Sequence, residues 1–361
     1  MRLGRECEAL ATALDGATIA QSLDRATLVD VAIEQRVGPL LAETSFGRSL
    51  TGPAAQRLAE DQAHWVVQAS LLNDEVRRVA DAISAARIHA LILKGAHVAH
   101  AVYPRPHLRV RSDTDLLIAP DSRQGIEKVL LESGYRRSMH VRGATILGQF
   151  HFEREHRSGL TVALDVHWRV GAPLLLERLL PARVLFESAV AIPALGAHAR
   201  GPALEHALAL SCLHLAAHHW PTPDLLWLYD VRQIAAALSP DASRRFVDLA
   251  KAHGFASVAR AVFEETRRLF PGAAIDRLLA ALPPPNPREP ALALLKHPKR
   301  AVDDLILDLR NASWPDRVRL VSEHLWPDAD YMRASSGDAP LPIAYLRRVA
   351  RGTRRWLTLN R

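Results

Sequence analysis

At 361 residues, 48% of them hydrophobic and 24% charged, the chain can bury a sizeable core and is too apolar to be disordered overall. A net charge of +7 suits anionic ligands such as nucleotides, nucleic acid or a membrane surface, and leaves the fold open. Two cysteines exclude a disulfide framework and a CxxC zinc module. No apolar run nears the ~20 residues of a membrane span and the N-terminus is too polar for a signal peptide, so the expected compartment is the cytoplasm.

Residues 1–85 read as helices. Apolar residues recur at three- and four-residue spacing in "TIAQSLDRATLVDVAIEQRVGPLLAETS" and again in "TGPAAQRLAEDQAHWVVQASLLNDEVRRVADAISAARI". Thr51-Gly52-Pro53 puts a capping residue and a proline at the start of the second stretch. The pattern then changes. "HALILKGA", residues 89–96, is a short continuous apolar run that predicts a strand at 90–94 and a helix at 95–103, followed by a loop broken by Pro104 and Pro106. A strand is expected at 113–119 and a helix at 121–133 with Gly134 as its terminating glycine. Shorter strands follow around 135–140 and 149–155, and a last one lies in "LTVALDVHWRV", residues 160–170. Strands crowded between helices predict an α+β fold with a small mixed sheet.

From 171 onward the chain returns to helical spacing, at 202–220, 224–238 and 242–254. "LPPPNPREP", 282–290, is a break that serves as a linker or as a stiff surface loop. No solenoid repeat is present. The expected division is an N-terminal helical region (1–85), a mixed core (86–170) and a C-terminal helical domain (171–361).

The chemistry concentrates in the core. Asp113 and Asp115 are two apart, so on an extended backbone their side chains point the same way. Two carboxylates held that close repel unless a cation lies between them. Mg²⁺, which takes oxygen ligands and is held by a few carboxylates plus substrate phosphates, fits such a pair, with Mn²⁺ as a substitute. Asp165 is the one acidic residue in an otherwise apolar strand, where it needs a partner. A glycine turn after one strand, an Asp-x-Asp opening the next and a third Asp in a later strand is the layout of polymerase-beta-type nucleotidyltransferases.

Taken in order, "LKGAHVAHAVYP", "LRVRSDTDLLI", "LTVALDVHW", "LSCLHLAAHHW" and "LLWLYDVRQI" resemble the bacterial family of uncharacterised nucleotidyltransferases, over roughly residues 85–255. The resemblance implies a nucleotidyltransferase core with flanking helices. It implies further that Asp113 and Asp115 are the metal-binding pair, that Asp165 is the third catalytic carboxylate, and that Lys94 and Gly95 form the turn facing the triphosphate of an NTP such as ATP. Arg109 matches an arginine of the family pattern, a candidate to grip phosphate. One departure is Ala96, where many superfamily members carry serine; Lys94 then supplies the phosphate contact, or else it is a lysine snorkelling from a strand end.

Other residues have fewer assigned tasks. His167 shares the strand face of Asp165 and can orient the site. His214 and His218 lie four apart on one helix face, without the Glu of an HExxH zinc site, and are candidates for the acceptor side. Asp230 either holds substrate or pairs with an arginine, and Trp220 and Trp227 pack the helical domain. The basic tail 347–361 lacks the aromatic-rich strand of an RNA-binding module, which argues against a nucleic-acid partner. The functional expectation is Mg²⁺-dependent transfer of a nucleoside monophosphate to a hydroxyl of a small molecule, peptide or protein. The alternatives are a non-catalytic nucleotide- or partner-binding protein that keeps the fold and, third, an antitoxin-like partner of another protein.

Overall fold

The computed structural model describes residues 4–19, 23–138, 148–296, 301–327, 329, 332–333 and 340–359. Its centre is a five-stranded sheet of β1 (Ala90–Ile92), β2 (Asp113–Ile118), β3 (Arg136–Arg137), β4 (Gln149–Glu155) and β5 (Thr161–His167), in the order β1-β2-β5-β4-β3. β2 and β5 run parallel and every other neighbour is antiparallel. The mixed α+β architecture is the one the sequence pattern predicts, with strand boundaries within a few residues. The expected strand around 135–140 is observed only at Arg136–Arg137, and 139–140 lie outside the described residues.

Helices precede the sheet. α1 (Arg5–Leu14), α2 (Arg25–Glu34), α3 (Gly38–Ala42) and α4 (Ser45–Ser49) lead into the 34-residue α5 (Gly52–Ala85). The single periodic stretch at 18–45 is thus broken, because Arg36 adopts a left-handed φ of 58° and Pro39 restarts a helix in its first turn. α6 (Lys94–Ala101) follows β1, and α7 (Arg123–Glu132) follows β2. Gly134, at φ 83°, lies one residue past the C-cap Ser133, in the conformation that only glycine adopts without strain.

The alternation of side chains sorts the sheet into two unlike faces. Leu116 and Ile118 of β2 and Val162, Leu164 and Val166 of β5 are buried with Leu72, Val76, Val79 and Ile83 of α5 and Ile126 and Leu130 of α7. Each fully buried aliphatic side chain contributes ~1.5–3 kcal/mol relative to exposure, so this face anchors the sheet. The other face carries Asp113, Asp115, Ala163, Asp165 and His167. A second, larger core joins α1–α3 and Leu58 of α5 to the C-terminal helices. Those begin with the short α8 (Leu175–Leu179) and α9 (Ala182–Glu187) and continue through α10 (Leu204–His218), α11 (Leu225–Ala237), α12 (Pro240–His253) and α13 (Ala256–Leu269). α5 therefore belongs to both cores.

The proline-rich 282–290 is a pinned loop. The Arg260 guanidinium donates to the carbonyls of Leu279, Leu282 and Pro283, and the Ser257 amide donates to Glu289. No helix among the described residues is long and apolar enough to cross a membrane.

Candidate active site

The parallel register sets Asp115 directly opposite Asp165, and the antiparallel register sets Asp165 opposite His151. Three chemically active side chains therefore form one row across β2, β5 and β4. On the outer side of β2, the Leu93 amide donates to the Asp115 carbonyl (2.9 Å) and holds the end of β1 against β2. The chain then turns at Lys94, whose φ of 47° is left-handed for a non-glycine residue, and α6 begins.

That turn aims Lys94 at the row. Its Nζ lies 2.7 Å from Asp115 Oδ1, and His167 Nε2 lies 2.8 Å from the same oxygen. An ionised carboxylate only accepts, so Nε2 carries the proton, and His167 Nδ1 is then a buried nitrogen without a partner. Burial alone would raise the Asp115 pKa, but Lys94 and His167 outweigh it and hold the carboxyl well below the usual range. Burial likewise opposes the Lys94 charge, and Asp115 outweighs it, so the lysine is held above its ordinary value.

Asp165 has its own partner. Its Oδ1 lies 2.5 Å from His151 Nδ1, and His151 Nε2 lies 3.0 Å from Glu153 Oε1. The hydrogen bond to Asp165 raises the His151 pKa to about 9, against opposing burial, with a further contribution from Glu153. Asp113 differs from both. Among the described residues its carboxylate has no hydrogen-bond or ion-pair partner, and burial followed by repulsion from Asp115 and Asp165 raises its pKa. Ligand atoms of Asp115, Asp165 and His167 lie within 4.8 Å of one another, close enough to hold a metal ion. His167 rather than Asp113 completes that closest set, with Asp113 two residues along the same strand face.

The remaining candidates assemble beside this row. Asp230, on α11, receives Arg109 Nε (3.0 and 3.1 Å) and Nη2 (2.6 Å), and the Tyr103 hydroxyl at 2.7 Å. Arg109 Nη1 donates to the Val110 carbonyl at 2.7 Å. Of the two tasks expected of Asp230, it performs the pairing with an arginine. Arg109 is 3% exposed and would have to leave Asp230 to grip a phosphate. Gly95 gains a reason beyond close approach to phosphate: a Cβ there would lie 2.7 Å from Arg109 Nη1, so a side chain would displace the guanidinium. Arg111, two residues on from Arg109, is buried, donating to Thr114 Oγ1 and Asn73 Oδ1.

α10 packs on α6 and brings His214 into electrostatic reach of Lys94 and Asp115. Burial first, then Lys94, pushes the His214 pKa well below its ordinary value. His214 Nε2 lies 3.3 Å from His219 Nε2, His219 stacks on Trp227 at 4.7 Å, and the Arg109 guanidinium lies over the Trp227 ring, 4.9 Å from its centroid. His218 is the exposed member, its ring 4.8 Å from that of His214.

His151 escaped the sequence reading. Strand alternation places it on one face with Glu153, but only the pairing of β4 with β5 puts it against Asp165.

The family model of uncharacterised nucleotidyltransferases matches residues 21–271. The chain belongs to this family. The match takes in the carboxylate row, the Lys94-Gly95 turn, the Arg109–Asp230 pair and the histidines of α10. No curated protein matches the chain.

Proposed function

We propose that the chain transfers a nucleoside monophosphate from an NTP, with ATP a candidate, to a hydroxyl of a small molecule, peptide or protein in the cytoplasm. The observation that carries this is the Asp115–Asp165 register with the unpartnered Asp113 beside it. A carboxylate kept without a partner next to two others is electrostatically unfavourable unless something cationic is bound there in use.

Asp113, Asp115 and Asp165 would hold Mg²⁺ or Mn²⁺, with His167 orienting Asp115 through Nε2. When bound, such ions neutralise the triphosphate and make the acceptor oxygen a better nucleophile. Lys94 and the backbone at Gly95 would lie against the phosphates, and Arg109 supports that turn from behind, anchored by Asp230. Asp165, held by His151, would face the acceptor. The acceptor oxygen bonds to the α-phosphorus, the bond from that phosphorus to the bridging oxygen breaks, pyrophosphate leaves with the electron pair, and the hydroxyl proton departs toward Asp165. Residues 86–170 would thus supply the nucleotide side. Helices from 171 onward would supply the acceptor side, with His214, His218 and the Trp227 column as its wall.

The test is incubation with each labelled NTP, Mg²⁺ or Mn²⁺ and a cell lysate. A labelled acceptor formed by the wild type and lost in Asp165→Asn is the expected result. A second reading, a nucleotide-binding protein without turnover, is favoured by Ala96 in place of serine and by the internal neutralisation of Asp115. Its signature is a melting temperature raised by NTP with Mg²⁺, and no labelled product with any acceptor.

A further inference from the structure

Lys94 stands where a cation on Asp115 would stand. We propose that it is a tethered counter-ion that must release Asp115 before a divalent ion can be held there, and that it does so by transferring its ammonium to the phosphates of the incoming nucleotide. The inference rests on the nucleotidyltransferase reading of the site and adds a rule of assembly to it: metal and nucleotide bind as partners, because each removes an obstacle to the other.

Three observations and one general property of the lysine side chain support this. Lys94 Nζ and His167 Nε2 both donate to Asp115 Oδ1, at 2.7 and 2.8 Å, so while the lysine stays that oxygen is taken and a divalent ion at Oδ2 would face a neighbouring ammonium that repels it. Asp113 and Asp165 share the sheet face, and with Lys94 on Asp115 and His151 on Asp165, Asp113 is left without a partner among the described residues, so the row is still one positive charge short. The Lys94 backbone is held in the left-handed region at φ 47°, between the Leu93–Asp115 backbone hydrogen bond and the first turn of α6. Strain of that kind persists where surrounding structure over-determines it, and it concentrates at ligand clamps and switches. Finally, an ammonium on a flexible stem is the side chain suited to exchanging one anion for another without moving the backbone.

A free divalent ion then meets an Asp115 already neutralised and binds weakly. The same ion arriving with a triphosphate finds the lysine drawn away. By linkage, the coupling acts equally on both ligands.

The experiment measures Mn²⁺ binding to full-length wild type, Lys94→Met and Lys94→Gln, alone and with a non-hydrolysable NTP analogue, by calorimetry and by the EPR signal of free Mn²⁺. Lys94→Gln keeps a hydrogen-bond donor for Asp115, so it reports even where Lys94→Met fails to fold. The expected result is Mn²⁺ affinity without nucleotide raised about tenfold or more in the variants, and a metal–nucleotide coupling reduced by a similar factor. Variants that bind Mn²⁺ no tighter than wild type, with binding in the presence of the analogue intact, overturn the tethered counter-ion and leave the functional reading standing. Absence of Mn²⁺ binding by every protein, with and without the analogue, overturns both.

Discussion

Two ion pairs meet at Gly95, one through Lys94 before it in the chain and one through Arg109 packed against it, and they are built to opposite specifications. Arg109–Asp230 is closed: both partners are about 3% exposed, the carboxylate takes three guanidinium contacts and a tyrosine hydroxyl, and Trp227 stacks on the cation. Lys94–Asp115 is open. The lysine side chain is 16% exposed, and the carboxylate is bordered by Asp113, which has no partner among the described residues, and by Asp165. A saturated buried pair is a structural clamp, because neither charge has anything else to bind. A pair with surplus negative charge beside it is the better candidate for a ligand site, because a bound cation would complete its electrostatics.

The comparison predicts separate losses. The largest is catalytic: Asp115→Asn and Asp165→Asn should each lower transfer by about 10⁴-fold, ~5.5 kcal/mol in the barrier, far more than the stability each loses with its Lys94 or His151 partner accounts for in a protein that still folds. Wild-type turnover in either variant would remove that carboxylate from the reaction. Next comes stability at the closed pair. Asp230→Ala strands Arg109 as a buried, uncompensated charge and should cost ~3–5 kcal/mol in denaturant unfolding, whereas Arg109→Met combined with Asp230→Leu should recover much of the loss. A single variant costing under ~1 kcal/mol would show that the clamp is not one.

The third effect is pH-dependent and concerns the helix that carries Lys94. His97, on α6, is 2% exposed and packs against Gly201, where a Cβ would lie 2.4 Å from its ring; burial lowers its pKa from 6.5 to about 4. Above pH 6.5 the residue is neutral whether folded or unfolded, so it has no effect. Between pH 6.5 and 4 the unfolded chain takes up a proton that the folded chain refuses, and stability should fall by roughly 3 kcal/mol. His97→Gln should flatten that limb of the stability profile. His151 acts with the opposite sign. Its folded pKa of about 9 lies above 6.5, so its pairing with Asp165 stabilises fully below pH 6.5 and is lost as pH rises through about 9. A His151→Asn variant whose alkaline limb matches the wild type would contradict this.

The smallest effect sharpens the contrast most. Asp113→Asn removes a charge that burial and its neighbours disfavour, so stability should be unchanged or raised by at most ~1 kcal/mol, while metal binding weakens. A marked loss of stability would mean that Asp113 is a structural residue.

Much of this was legible before any coordinates. The switch from helical to strand periodicity at 89–96, the i, i+2 spacing of Asp113 and Asp115 and the lone Asp165 in an apolar strand are local patterns, and local patterns survive in one dimension because side-chain direction on a strand or helix follows from backbone geometry. They determined by themselves the α+β class, the face on which the two aspartates sit and the strand from which the third projects. What the tertiary structure alone decided is every relation between segments. The β2–β5 register brings Asp115 level with Asp165, and the β4–β5 register adds His151 to the row. The path from β1 into α6 points Lys94 at Asp115, and α11 delivers Asp230 to Arg109 across 121 residues of chain. Pairings of this kind depend on strand order and helix packing over long sequence separations, and no local spacing encodes which carboxylate a given cation will meet.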